Sequence, residues 1–159
     1  SADGKPPVFT DYTYDNLGLP RNMAIPANAD PAYADLGLCK SGRVGRSAES
    51  SECGKFKVPT LRNVATRQVF FHNGLFKTLR EVVAFYVRRD THPEEWYPLA
   101  KNGKVDKFND LPRRYHSNVN VEEAPYGRKP GQKPALSEQE IDDLVSFLET
   151  LTDGYKGEK

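Results

Sequence analysis

Beside its 22 carboxylates, this chain has few residues that can ligate a metal or carry acid, base or redox chemistry: His72, His92 and His116, two cysteines, one methionine, one tryptophan and eight tyrosines. Tyr86 stands out by position, because Leu79, Val82, Val83 and Tyr86 fall at i, i+3, i+4 and i+7, one face of a helix. The phenol is therefore predicted to point inward. On periodicity alone it is a buried tyrosine with a hydrogen-bonded hydroxyl. His72, between Phe71 and Asn73-Gly74, reads as a turn or satisfied core histidine. His92 and His116 lie among polar turn formers and are expected to be exposed. Trp96, beside Tyr97 and Pro98, reads as a packing anchor, with an electron relay as the alternative. Met23 lies in a Pro-flanked loop, a poor place for a metal ligand. Asp142 and Asp143 take adjacent places on a solvated helix face and do not make an acid/base dyad.

Cys39 and Cys53 have thirteen residues between them in a Gly/Ser-rich stretch, and no C-x-x-C exists. A thioredoxin-type pair and a four-ligand zinc site are disfavoured. A disulfide tying this loop is the leading reading, and it implies an oxidising compartment. Free thiols, or a metal or catalytic role, are the alternatives.

The elements that must position these groups are short. Twelve glycines and twelve prolines among 159 residues, with 37% hydrophobic residues, leave room for one modest core and much ordered loop. A formal net charge of +1 removes the field expected of a nucleic-acid or acidic-membrane binder. No apolar run approaches the roughly 18 residues of a membrane span, and the polar start lacks signal-peptide character, so a soluble chain or the soluble remainder of a processed one is expected.

Residues 1–54 are broken by Pro6-Pro7, Gly18-Leu19-Pro20, Ile25-Pro26 and Asp30-Pro31 and read as irregular, with Phe9, Tyr12, Tyr14 and Tyr33 as anchors against a core. Thr78-Leu79-Arg80-Glu81 is a capping box opening a helix that runs to Arg89. From Arg88 to Pro134 turn formers return, and the segment is expected to wrap the body through Trp96, Tyr97, Phe108, Tyr115 and Tyr126. Ser137-Glu138-Gln139-Glu140 is a second capping box, followed by Ile141, Leu144, Val145, Leu148 and Leu151 at helical spacing. That helix should run to about Leu151 and stop near Gly154, with a frayed tail over 156–159. The fold class is mostly α with long ordered loops, over a single domain or fragment: 1–54 irregular, 55–89 loop and helix, 90–134 insertion, 135–153 C-terminal helix.

The order F-K-V-P-T-L-R-N-V from Phe56, F-F-H-N-G from Phe70, T-L-R-E-V-V-A-F-Y from Thr78 and L-S-E-Q-E-I-D-D-L-V-S-F-L-E-T-L-T from Leu136 resembles the C-terminal domain of the bacterial dihaem cytochrome c peroxidase and MauG superfamily. The opening from Phe9 through Pro20 is similar to the segment just after that family's second haem-attachment motif. The resemblance implies a cytochrome c-like haem domain in the periplasm. It places Tyr86 as the far-side axial ligand of the C-terminal haem iron, where typical peroxidases carry methionine and MauG-like members tyrosine. An anionic, hard phenolate suits ferric or higher-valent iron. His72 and Arg62 would meet haem propionates, with Pro59 and Leu61 of the same segment along the cofactor. Main-chain carbonyls at Arg67 and Val69 take the places of calcium ligands, although the family's usual T-A-P-Y-F-H-D-G is here Arg67 to Gly74, R-Q-V-F-F-H-N-G.

None of the three histidines follows a cysteine, so the C-x-x-C-H that attaches haem c is absent from this chain, as are the peroxide-side carboxylate and the N-terminal haem domain. The resemblance thus implies a C-terminal fragment or processed chain, inactive alone, whose missing half carries the haems. The whole protein would reduce hydrogen peroxide with electrons from a small donor protein, or oxidise a protein side chain in the MauG manner. A haem-free interaction module on the same scaffold is the alternative from another class.

Overall fold

Both capping boxes start helices where the sequence places them. In the computed structural model, which describes residues 9–40 and 51–156, α1 spans Leu79–Arg88 and α2 spans Glu138–Glu149. Glu81 Oε2 accepts from the Thr78 amide at 2.9 Å while Thr78 Oγ1 accepts from the Glu81 amide, and Ser137 and Glu140 repeat the exchange. Two otherwise orphaned donors are satisfied at each helix start. Helix α2 ends two residues earlier than its pattern suggests, because the chain tightens at Thr150 and Leu151 and reverses at Gly154, φ +75°.

The inner faces of α1 and α2 meet over Phe85 and Ile141, both fully buried, and Leu19, Val64, Phe70, Phe76, Val83 and Leu148 complete this core. Strands β1 (Tyr14–Asp15) and β2 (Phe56–Lys57) pair antiparallel beside it, Tyr14 opposite Lys57. Most other described residues lie in turns, loops and short 3-10 turns. A second cluster of Ala34, Leu36, Cys53, Leu111, Tyr115 and Val119 is stapled by the expected Cys39–Cys53 disulfide. The middle of the cysteine loop (41–50), the first eight residues and the tail beyond 156 lie outside the described residues. No described helix is long and apolar enough to cross a membrane.

The segment from Arg88 to Pro134 packs on both clusters, with Tyr97, Tyr115 and Tyr126 buried. Tyr97 donates to the Gly18 carbonyl at 2.6 Å, and a Cβ at Gly18, φ +59°, would sit 2.3 Å from the Phe108 ring. A fully buried Arg89 pairs with Asp90 and donates to the carbonyls of Leu17 and Asn120 at 3.0 and 2.8 Å. Asp90 also accepts from Lys107 Nζ and the Gly127 amide. The hydrogen bonds of this cluster offset the cost of burying a charge.

Two expectations are corrected. Phe9, Tyr12, Tyr14 and Tyr33 are exposed, and the N-terminal segment anchors on the core through Leu17 and Leu19 instead. His92 and His116 are partly buried, because Thr91 Oγ1 and the Leu111 carbonyl lie 2.9 Å from a ring nitrogen of each and draw the rings in.

Candidate functional site

Between α1, α2 and the loop after β2 opens a cleft of about 880 Å³. That is within the size range of cofactor pockets. Helix α1 contributes Leu79, Val82, Val83, Tyr86 and Val87, and α2 contributes Leu144 and Leu148. Strand β2 supplies Phe56, the loop after it supplies Val58, Pro59, Leu61, Val64, Val69, Phe70 and Phe71, and Ala124-Pro125 and Ala135-Leu136 close one side. This explains why Leu144, though in register with the helix core, is exposed: its stripe faces the cleft as well as the core. The wall is predominantly apolar, and only Asp15, Lys57, Arg67, His72 and Tyr86 bring polar groups to it.

Tyr86 stands on this wall half-buried, its ring centroid 5.7 Å from Phe71 and 6.0 Å from Tyr126. Its hydroxyl makes no hydrogen bond among the described residues. Burial, reinforced by the Asp15 carboxylate and opposed by the Arg89 guanidinium, pushes the phenol up to about 12. Periodicity predicts a buried tyrosine with a hydrogen-bonded hydroxyl; Tyr86 is instead half-buried on the cleft wall and has no such bond among the described residues.

His72 also lines the cleft. Its ring stacks on Phe56 at 3.6 Å and 4°, and Nε2 lies 3.5 Å from Asp110 Oδ2, itself an acceptor for Asn73 Nδ2 at 2.9 Å. Pro59, Leu61, Arg67 and Val69 are on the lining. Arg62 is not: its guanidinium reaches Asp153 beyond the end of α2 at 2.9 and 3.1 Å, on the surface. The cation that faces the cleft from this loop is Arg67, which donates to the Thr60 carbonyl at 2.7 Å and pairs with no described carboxylate. No cluster of three or more His, Cys, Asp or Glu able to hold a metal occurs among the described residues.

Phe56, Asp15, Asp110 and Tyr126 join the site from four separate stretches of chain. Phe56 opens the F-K-V-P-T-L-R-N-V stretch and Tyr126 is among the expected packing residues, but nothing local marks Asp15 or Asp110, and all four reach this place through tertiary pairing.

No family model matches the chain. It is 34% identical over 150 residues to methylamine utilization protein MauG of Paracoccus denitrificans, covering 92% of this chain and 35% of that protein. To cytochrome-c peroxidase IdrP1 of Denitromonas iodatirespirans it is 28% identical over 163 residues, with the same coverage. The crystal structure of the diheme peroxidase BthA from Burkholderia thailandensis matches with a TM-score of 0.83 and 48% identity over 92% of this chain and 35% of BthA. The chain therefore spans about a third of the length of the relatives it matches.

Proposed function

We propose, given that this chain belongs to the dihaem cytochrome c peroxidase and MauG superfamily as a C-terminal part of such a protein, that it forms the distal side of one haem c pocket with Tyr86 toward the iron. One observation carries the reading: a half-buried phenol with no hydrogen-bond partner among the described residues stands on the wall of an apolar cleft of cofactor size. Such a cleft exposes apolar surface until something fills it. When bound, the haem supplies the redox chemistry of peroxide reduction and electron transfer.

The chain's own residues do the rest. Val82, Val83, Leu148 and the Pro59 to Leu61 stretch exclude water. Tyr86 keeps its proton on Oη at neutral pH, and that oxygen would hold the haem iron when the cofactor is bound. His72 and Arg67 face the cleft and are placed to meet cofactor carboxylates; Arg62 reaches one only by leaving Asp153. The carbonyls of Arg67 and Val69 accept no hydrogen bond among the described residues, so they can supply two of the roughly six to eight oxygens a calcium ion takes. The disulfide agrees with a periplasmic setting. Hydrogen peroxide as substrate and a small protein as electron donor belong to the whole protein in this reading. A MauG-like protein-modifying oxidase is the second reading, favoured by tyrosine in place of methionine at position 86.

Tyr86→Phe in the haem-bearing protein tests it. The expected result is loss of the tyrosinate-to-iron charge-transfer band and a changed reduction potential of the affected haem. Unchanged spectra and potential would eliminate Tyr86 as the ligand.

A further inference from the structure

We infer that Asp110 and Phe56 are positioning residues for His72: Phe56 fixes the plane of the imidazole, Asp110 fixes its rotation by taking Nε2, and Nδ1 is left as the nitrogen that meets a carboxylate of the cleft ligand. The inference rests on the reading that His72 meets the cofactor carboxylates. The His72 ring lies on Phe56 with centroids 3.6 Å apart and 4° between the planes. That is closer and more parallel than aromatic pairs usually pack, so tilting the imidazole means breaking the stack. Within its plane the ring is set by Nε2, which stands 3.5 Å from Asp110 Oδ2, an ion-pair distance. Nδ1 has no hydrogen-bond partner among the described residues. His72 lines the cleft and Asp110 does not, so the carboxylate acts on the imidazole from behind the wall.

Asp110 is itself built into the fold, its side chain 10% exposed. Oδ2 accepts from Asn73 Nδ2 at 2.9 Å, and Arg21 Nη1 lies 3.8 Å from Oδ1. Asn73 Nδ2 also donates to the Pro20 carbonyl, Asn73 Oδ1 accepts from the Leu75 amide, and Asn22 Nδ2 donates to the Asn73 carbonyl. The Arg21 guanidinium is held by the Asn28, Asp30 and Tyr33 carbonyls. Asn73 and Arg21 hold Asp110 without any histidine, so what the ion pair adds is the orientation of the imidazole. The backbone contributes too. Phe71, just before His72, has φ +61°, a left-handed conformation rare for a bulky residue, and its ring packs against Phe76, Phe85 and Tyr86 at 5.3–5.7 Å. Such strain persists only where the surroundings hold it, and it gathers at ligand clamps. A carboxylate on one imidazole nitrogen sets the orientation of the ring and the role of the other nitrogen.

Two measurements test it. In this chain the Phe56 face should shift the His72 ring-proton NMR resonances upfield. Asp110→Asn, which keeps the size and an acceptor for Asn73 but removes the charge, should move them back toward free-imidazole values. In the haem-bearing protein, the resonance Raman bending band of the haem propionates reports hydrogen bonds at those carboxylates. His72→Gln should shift that band, and Asp110→Asn and Phe56→Leu should shift it the same way. The double variant of His72→Gln and Asp110→Asn should shift it no further than His72→Gln alone, because the aspartate acts through the histidine. Nδ1-methylhistidine at position 72, which blocks that nitrogen and leaves Nε2 for Asp110, should match His72→Gln. Ring-proton resonances that Asp110→Asn does not move, or a band that His72→Gln moves and Nδ1 methylation does not, overturn the inference and leave the reading of His72 intact. A band that His72→Gln leaves in place overturns that reading and the inference with it.

Discussion

Asn63 and Asp153 exchange hydrogen bonds across 90 residues of sequence: Asn63 Nδ2 donates to Asp153 Oδ2 at 3.0 Å, and the Asp153 amide donates to Asn63 Oδ1 at 2.7 Å. The Asn63 amide also donates to the Leu151 carbonyl. The loop that forms one wall of the cleft is thereby tied to the end of α2, which forms another. Asn63 has φ +57°, the left-handed region that Asn tolerates and alanine does not. Asn63→Ala should cost about 1–2 kcal/mol, and Asn63→Gly, which keeps the backbone but loses the side-chain bonds, should cost less. Urea unfolding of the two variants decides; equal losses would assign the cost to the side chain alone.

Phe85 lies fully buried, with the rings of Phe71, Phe76, Trp96 and Tyr97 at 5.1–6.5 Å. Phe85→Ala should lower stability by about 3–5 kcal/mol. Phe147→Ala, on the exposed side of α2, should lose less than about 1 kcal/mol. Chemical denaturation measures both.

Gly18→Ala should cost about 1–3 kcal/mol, because the new methyl meets the Phe108 ring. Phe108→Ala made in the same chain should restore part of the loss. A double variant no better than the sum of the singles would place the strain in the Gly18 backbone instead.

Alkaline pH should unfold the haem-free chain. The Tyr86 phenol is raised from its usual 10 to about 12 in the fold, and burial raises Tyr97 and Tyr126 as well. The folded state holds these protons more tightly than the unfolded one, so stability is full below pH 10 and falls as pH rises toward 12 and beyond. Thermal midpoints between about pH 8 and 12 should drop above 10, less steeply in Tyr86→Phe. A flat profile would contradict the burial of these phenols.

Reduction of the Cys39–Cys53 bond should remove about 3 kcal/mol and loosen the cluster of Leu36, Leu111 and Tyr115 first. Hydrogen exchange with and without reductant reports the order.

The two helices were legible because capping boxes and apolar spacing are local signals, but the spacing marked the cleft-facing side of α1 with the half-buried Tyr86 and missed Phe85, the residue of α1 that is fully buried. Leu144 shows the limit: its spacing marks it as inward, yet periodicity does not distinguish a packed core from a cleft wall. The anchors assigned to Tyr12 and Tyr14 failed because aromatic composition alone does not say which residues of an irregular segment face the protein. Arg62 and Arg67 differ for a similar reason, since Asp153, which holds Arg62 at the surface, is distant in sequence. The Phe56 stack on His72 and the placement of Tyr126 depend wholly on long-range pairing.

Arg89 has a consequence for how this region can vary. A buried guanidinium shared by the Leu17 and Asn120 carbonyls and by Asp90, which Lys107 and Gly127 also hold, makes those positions fixed posts along an otherwise irregular span. Between the posts the chain can lengthen or shorten at its exposed turns, such as the one at Gly103, where an added side chain meets nothing. Removing a post strands a charge in the interior, so length changes among relatives should cluster between these positions and spare them.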